Sequence, residues 1–409
     1  MRNKVGVNTC VHLGPGTFQT AGFYEGIGTT TGWQVKPGLR LVGSGVDVTI
    51  LKRVNDVPAN KIGYAVGHEL TKTGPSPNLV DFAEITELSI DANFAELTNA
   101  GTAASAIRMM GNHARAVRVK ITNWGNKSST IPSFGIALLT GNTNSGIVAS
   151  DVVAVTNCGI DSCIALTPSP TSSGTVVALQ VGAKEDPGTV EALGVAPYLR
   201  SSFVDCGSPL TLNLVGLGMS WCVGGIVEGN TVLNAYFGGP SSSSPNSKLR
   251  GARSLIIRGN VYRNVFYPIF RGLDTELKQD IEINQNTFEL GVGMTSSAVY
   301  VSYSTTGPVT GRTSAVGNSI RNIDGTPVAD AIHVQRATNL GVKENIIHLV
   351  PPAGPSPIWF KLGTTAAFFE NRTSSGVLIQ GRDDVTGALM TELATDADDA
   401  LILSFLRKR

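Results

Sequence analysis

Charge is scarce in this 409-residue chain: Asp, Glu, Lys and Arg make up 15%, and 32 basic against 31 acidic residues leave a net charge of +1. So neutral a chain lacks the electrostatic footprint that a nucleic acid or an anionic membrane requires of its partner. No apolar run is long enough to cross a bilayer, so membrane insertion is not expected. The five cysteines, Cys10, Cys158, Cys163, Cys206 and Cys222, are odd in number and form no CxxC pair of the metal-binding kind. Most of them read instead as small apolar residues of a core. Neither a metal nor another cofactor is expected. The opening MRNKVGVNTC has a basic start but no hydrophobic region after it, so no secretory signal is visible.

What the chain does have is Gly, Ser and Thr in abundance and one short pattern that recurs from about Cys222 to Gly381. An apolar strand leads to a tight polar turn carrying Asn, and a second apolar strand follows. The turn asparagines are Asn230, Asn260, Asn286, Asn318, Asn345 and Asn371, spaced 26 to 32 residues apart. Such a period is the mark of a solenoid. It predicts an all-β, single-stranded parallel β-helix with one turn per repeat and the asparagines stacked at one corner, where a small amide tolerates left-handed geometry and bonds to its neighbours. Length alone suggests two domains or more, but a solenoid can carry 409 residues as one body because each coil contacts only the next.

Toward the N-terminus, strand-like runs at Val11 to Leu13, Leu39 to Val42 and Val48 to Leu51 are divided by Gly-Pro-Gly, Pro-Gly and Gly-Ser-Gly turns. Residues Leu13, Gly14, Pro15, Gly16, Thr17 and Phe18, then Pro37, Gly38, Leu39, Leu41, Gly43, Gly45, Thr49 and Ile50, resemble the opening of the pectate-lyase-like right-handed parallel β-helix proteins, the glycosyl-hydrolase-28-related group above all. The resemblance covers most of residues 10 to 380. It implies a right-handed coil, a polysaccharide as partner and an extracellular or cell-surface location. Lys52 to Asn78 and Ala95 to Ser105 read as excursions from the coil body, and 168–174 and 238–247 as loops inserted at corners. The β-helix is expected over 1–385. In 386–409, Leu389, Leu393, Ala400, Leu401 and Phe405 fall at mixed helical spacing and predict a helical cap that covers the last open edge, with a tail that docks a partner subunit as the competing reading.

The repeat also serves as a ruler. It aligns PIFRG, AVYVSY, AIHVQR and PIWFKL; with Ile269, Val299, Ile332 and Ile358 inward, Phe270, Tyr300, His333 and Trp359 form one outward column. Gly272, Ser302, Gln335 and Lys361 form the next. Aromatic faces beside hydrogen-bonding groups suit sugar rings; the same aromatics would also suit cover by a loop or a neighbouring subunit, which leaves a homo-oligomer open. For catalysis, DGTPVADAIHVQR offers His333 as general base, Asp330 to orient it, Arg336 at the strand exit and Tyr300 as proton donor one coil below, with Asp324 in the same loop. The paired acids of a hydrolase, the Gly-His-Gly and Arg-Ile-Lys signatures of polygalacturonases, a Ca²⁺-type acid cluster and an epimerase tetrad are not found. A non-catalytic structural, adhesive or fibre-like protein is the competing class. Arg263, Arg271 and Asp274 form a weaker polar set. His12, His113 and His348 read as structural, and Asn371, although in an Asn-x-Thr context, reads as a corner residue.

Overall fold

A computed structural model describes residues 8–394 except 25–32, 69–71, 74–75, 78, 140–154, 167, 169–173, 183–193, 209–212, 221, 240–253, 274–279, 292–296, 304–311, 327, 329–330, 336–338, 349–357, 361–364, 384–388 and 391–392. Short strands wind through successive coils and stack on three faces. The first face starts with Cys10–His12, Arg40–Val42 and Glu84–Asp91 and ends with Asn339–Lys343 and Thr365–Phe369. The second starts with Gly16–Thr20 and Thr49–Arg53 and ends with Ile346–Ile347 and Arg372–Thr373. These two faces share the long strands Glu84–Asp91 and Arg115–Thr122 and so form one 23-stranded sheet. Its pairings are parallel except where Leu393–Ala394 joins Thr365–Phe369.

The third face begins with an eight-stranded sheet that includes Ile62–Gly67, Ala103–Met110, Ser133–Leu139, Val176–Gly182 and Leu214–Ser220. Bridges from Val215 to Phe237 and from Phe237 to Tyr267 carry it across two coils. A six-stranded sheet then runs through Ile269–Leu273, Val299–Tyr303, Ile332–Gln335, Ile358–Phe360, Gly381–Asp383 and Leu389–Met390. Inward side chains from all three faces fill one continuous apolar core, from Leu13 to Ile379.

The turn between the first and second faces explains the repeat. In each rung the backbone N–H and Nδ2 of one asparagine donate to Oδ1 of the next, as Asn230 does to Asn260 at 2.9 and 3.0 Å and Asn260 to Asn286 at 3.0 and 3.0 Å. Nδ2 also donates to a first-face carbonyl of the preceding coil, Val227 O for Asn260. All six asparagines are fully buried. Contrary to the expectation from sequence, they do not themselves adopt left-handed geometry. The residue before each one does: Gly229, Gly259, Gln285, Gly317, Glu344 and Glu370 have φ between 54° and 65°. The asparagine contributes the hydrogen bonds, and its predecessor makes the bend.

Two further expectations are corrected. The stretch from Lys52 to Asn78 is not an excursion, since Ile62–Gly67 is a wholly buried strand of the third face; its all-apolar run lacks the alternation by which a half-exposed strand is recognised. Among the described residues of 386–409 there is no helix: Leu389–Met390 and Leu393–Ala394 are short strands that pair antiparallel with Gly381–Asp383 and Thr365–Phe369. Open sheet edges at the end of a solenoid offer backbone partners that outweigh a weak local helical spacing. Residues 395–409 lie outside the described residues.

Candidate functional site

The third face is not equally open along its length. Ile62–Gly67, Ala103–Met110, Ser133–Leu139 and Val176–Gly182 are buried at every position, outer side included. Part of the cover is a second apolar cluster of Phe23, Ile62, Tyr64 and Ala103. In the six-stranded sheet, by contrast, Tyr300, His333 and Arg382 are half-buried while their inward neighbours Val299, Val301, Ile332 and Val334 are fully buried.

The register of this sheet pairs Phe270 with Tyr300, Tyr300 with His333, and His333 with Trp359. It likewise pairs Ile269, Val299, Ile332 and Ile358, all fully buried. The four-residue column read from the sequence therefore exists as a backbone alignment. The Tyr300 and His333 rings lie 5.2 Å apart between centroids at 60° to one another. Gly272, Ser302 and Gln335 form the adjacent column. Asp330, Arg336 and Lys361 lie outside the described residues.

One member was missed. Gly381–Asp383 adds a further strand, in which Arg382 pairs with Trp359 and continues the column with a cation. The asparagine ruler stops at Asn371, and nothing in GRDD marks a coil. Among the other candidates, Asp324 accepts from Thr326 N at 3.0 Å and Thr326 Oγ1 at 2.8 Å. Those two bonds hold its carboxyl below the usual value and commit it to its own turn. Arg263 bonds Glu289 at 2.7 Å, which removes it from the weaker polar set. His113 stacks on Phe82, with centroids 4.9 Å apart, and His348 meets Ser374 Oγ at 3.2 Å. Asn371 is the last rung of the ladder and fully buried.

Carboxylates on the outer faces are placed between arginines of adjacent coils. Glu84 takes Arg40 at 3.0 Å and Arg115 at 3.2 Å, and Glu228 takes Arg200 at 3.6 Å and Arg258 at 2.7 Å. Glu289 sits between Arg263 and Arg321. Parallel in-register stacking places equivalent positions directly over one another, so alternating charge suits it. The described residues include no group of three or more metal-ligating side chains.

The pneumococcal surface adhesin PfbA, from Streptococcus pneumoniae, superposes with a TM-score of 0.51 at 10% identity, over 94% of this chain and 91% of that one. The chain is a right-handed parallel β-helix. The same fold is seen in the A-module of the mannuronan C-5 epimerase AlgE6 of Azotobacter vinelandii (TM-score 0.46, 8% identity, 90% of this chain and 82% of that one). It is seen too in a polygalacturonase of Erwinia carotovora (TM-score 0.40, 8% identity, 94% and 90%). No protein-family model matches the β-helix sequence, and no curated protein matches it.

Proposed function

We propose that this β-helix binds a polysaccharide along the outer face of its six-stranded sheet. Phe270, Tyr300 and Trp359 would stack on sugar rings, with Gln335 and Lys361 as hydrogen-bonding neighbours and Arg382 as a cation at the end of the column. The observation that carries this reading is the unbroken register from Phe270 through Tyr300 and His333 to Trp359 and Arg382, on the half of the third face whose outer side is partly open. Parallel strands lie about 4.8 Å apart, so residues in successive coils form a linear series, the shape a glycan chain requires. Aromatic faces give the apolar contact and flanking polar groups the orientation.

The test is a polysaccharide panel read for binding and for products. Tyr300→Ala and Trp359→Ala are expected to weaken glycan binding tenfold or more while the far-ultraviolet spectrum is unchanged; normal binding by both variants removes the sheet face from consideration. Turnover extends the proposal, with His333 as base, Tyr300 as proton donor, Asp330 orienting His333 and Arg336 at the exit of the strand. It predicts new reducing ends, or unsaturated-uronate absorbance, that disappear in His333→Ala.

A non-catalytic adhesive protein is the second reading. Glu84, Glu228 and Glu289 are each held between arginines, a use of carboxylates that serves coil stacking. The likeness to a surface adhesin also favours it. Glycan binding that depends on the aromatic column but yields no product selects this reading. Both place the protein outside the cell or on its surface.

A further inference from the structure

The second face ends in two short strands, Ile346–Ile347 and Arg372–Thr373, which pair parallel with Ile346 beside Arg372 and Ile347 beside Thr373. Ile347 and Thr373 are buried, so the next residues in register, His348 and Ser374, project outward from adjacent coils. His348 Nδ1 and Ser374 Oγ are 3.2 Å apart, and His348 Nε2 lies 3.3 Å from Gly325 O. A carbonyl oxygen can only accept, so the second contact puts the proton of the neutral ring on Nε2. Nδ1 is then the acceptor, and Ser374 Oγ–H donates to it. A hydroxyl, an imidazole able to take its proton, and an acceptor that orients the imidazole are thus joined in series, the arrangement that activates a serine nucleophile.

The three members come from three successive coils, and each is held in place. Gly325 lies in the turn after Ser319–Asn322, where its N–H donates to Asn322 O at 3.2 Å and Asn322 Nδ2 donates to Thr326 Oγ1 at 3.0 Å. His348 N donates to Ile320 O at 2.8 Å, and His348 O accepts from Val328 N at 3.2 Å. Ser374 follows Thr373 in a tight turn closed by Gly376 N donating to Thr373 O at 2.9 Å. Within that turn the N–H groups of Ser374 and Ser375 meet no acceptor among the described residues. Backbone donors beside a nucleophile are what an oxyanion requires. Ser374 is exposed, which leaves it open to a substrate. Ile346, two residues before His348 on the same outer side, is 52% exposed and supplies one apolar contact, enough for an acyl group of a few carbons.

We infer that Ser374 and His348 are the nucleophile and base of an esterase site that removes short acyl groups from alcohols. His348 Nδ1 takes the Ser374 proton as Oγ bonds to the ester carbonyl carbon, whose π pair moves to its oxygen. Collapse breaks the carbon–oxygen bond to the alcohol, which leaves with the proton from Nδ1, and the acyl group stays on Oγ. Water then attacks this acyl-serine while Nδ1 takes its proton and returns it to Oγ. The products are the alcohol and a carboxylic acid. Gly325 is a positioning residue, since its carbonyl keeps the tautomer that leaves Nδ1 free to accept.

The experiment treats the full chain with a fluorophosphonate, locates the label by peptide mass spectrometry, and follows hydrolysis of p-nitrophenyl acetate. Expected is one label per chain, on Ser374. Ser374→Ala should abolish labelling, and Ser374→Ala and His348→Gln should each lower hydrolysis at least a hundredfold. His113→Gln, which changes a histidine of another corner, should behave as the parent. Both altered side chains project from the outer surface, and an unchanged circular dichroism spectrum shows that folding is intact. Hydrolysis that survives Ser374→Ala overturns the inference, because an unassisted surface imidazole would then account for it. A parent chain that takes no label at Ser374 overturns it as well. The site is on the second face, so neither result bears on glycan binding by the six-stranded sheet.

Discussion

Asn286 has no exposed surface, and its side-chain groups are committed on several sides. Its Oδ1 accepts from N and Nδ2 of Asn260 at 3.0 Å each, and its Nδ2 donates to Ile257 O at 3.0 Å and Asn318 Oδ1 at 3.1 Å. Truncation leaves a buried amide and a buried carbonyl unpaired, so Asn286→Ala is expected to cost roughly 3 to 5 kcal/mol, read as a lower urea midpoint. The six asparagines are legible in the sequence because one residue type repeats at one spacing. The rungs beneath them are not. Ser202 N donates to Asn230 Oδ1 at 3.0 Å, and Cys163 N donates to Ser202 Oγ at 3.1 Å, so a hydroxyl forms the next rung and Cys163, whose thiol donates to Ala116 O and Asp161 O at 3.4 Å each, ends the ladder. Burial pushes the Cys163 thiol up to about 12, in keeping with that inert role. A second prediction concerns acid. Burial would raise the Asp56 carboxyl, but hydrogen bonds from Thr98 Oγ1, Thr98 N and Val57 N outweigh it and hold the group below its ordinary value of 3.8. A lowered folded pKa makes its contribution complete above 3.8 and lost as pH falls through the folded value. Asp56→Asn should therefore be less stable than the parent at pH 6, and the difference should shrink as the pH is lowered below 3.8; a difference that stays constant as the pH falls contradicts the assignment.

Strands show where sequence reading succeeds and where packing decides. Tyr300 and His333 are half-buried between the buried pairs Val299 and Val301 and Ile332 and Val334, and the same alternation of residue types let the outer column be aligned before any coordinates. Ile62–Gly67 offers no alternation because its outer side is buried as well, and a strand of this kind looks like any apolar run. Leu389 and Leu393 fit a helix by spacing, yet both belong to strands that pair with open edges, a contact no local pattern announces. Neighbouring strands are also tied by charge. The Glu289 side chain is 9% exposed and lies between two half-exposed arginines of the coils on either side. Replacing it by Gln removes the charge and leaves Arg263 and Arg321 facing each other. Because both arginines reach solvent, the loss is screened, and Glu289→Gln is expected to cost roughly 1–2 kcal/mol. The penalty should shrink in 1 M salt; a salt-independent penalty would mean that packing, rather than charge, is what Glu289 contributes.

At the scale of the molecule, a β-helix has no contacts that leap from end to end. Inner strands of the first face pair with the coil before and the coil after, as Leu255–Arg258 does with Ile226–Glu228 and Ile281–Asn284. Stability is then a sum of coil terms and nearest-neighbour interfaces, and the consequence of a lesion depends on where it falls. Asn286 lies mid-ladder, with Asn260 on one side and Asn318 on the other, so its loss weakens two interfaces and divides the stack. Asn371 is the last rung; it accepts from Asn345 and donates to Val342 O at 2.9 Å and Phe369 O at 3.3 Å. Asn371→Ala therefore frays one end. Hydrogen exchange should separate the two. Asn286→Ala should strip protection from 255–322, broaden the urea transition and lower its slope, while Glu84–Asp91 and Arg115–Thr122 keep their protection. Asn371→Ala should affect 339–383 alone and leave the main transition in place. Were both variants to lose protection evenly along the chain in one sharp transition, the molecule would be folding as a single cooperative unit, and the additive picture of its coils would have to be abandoned.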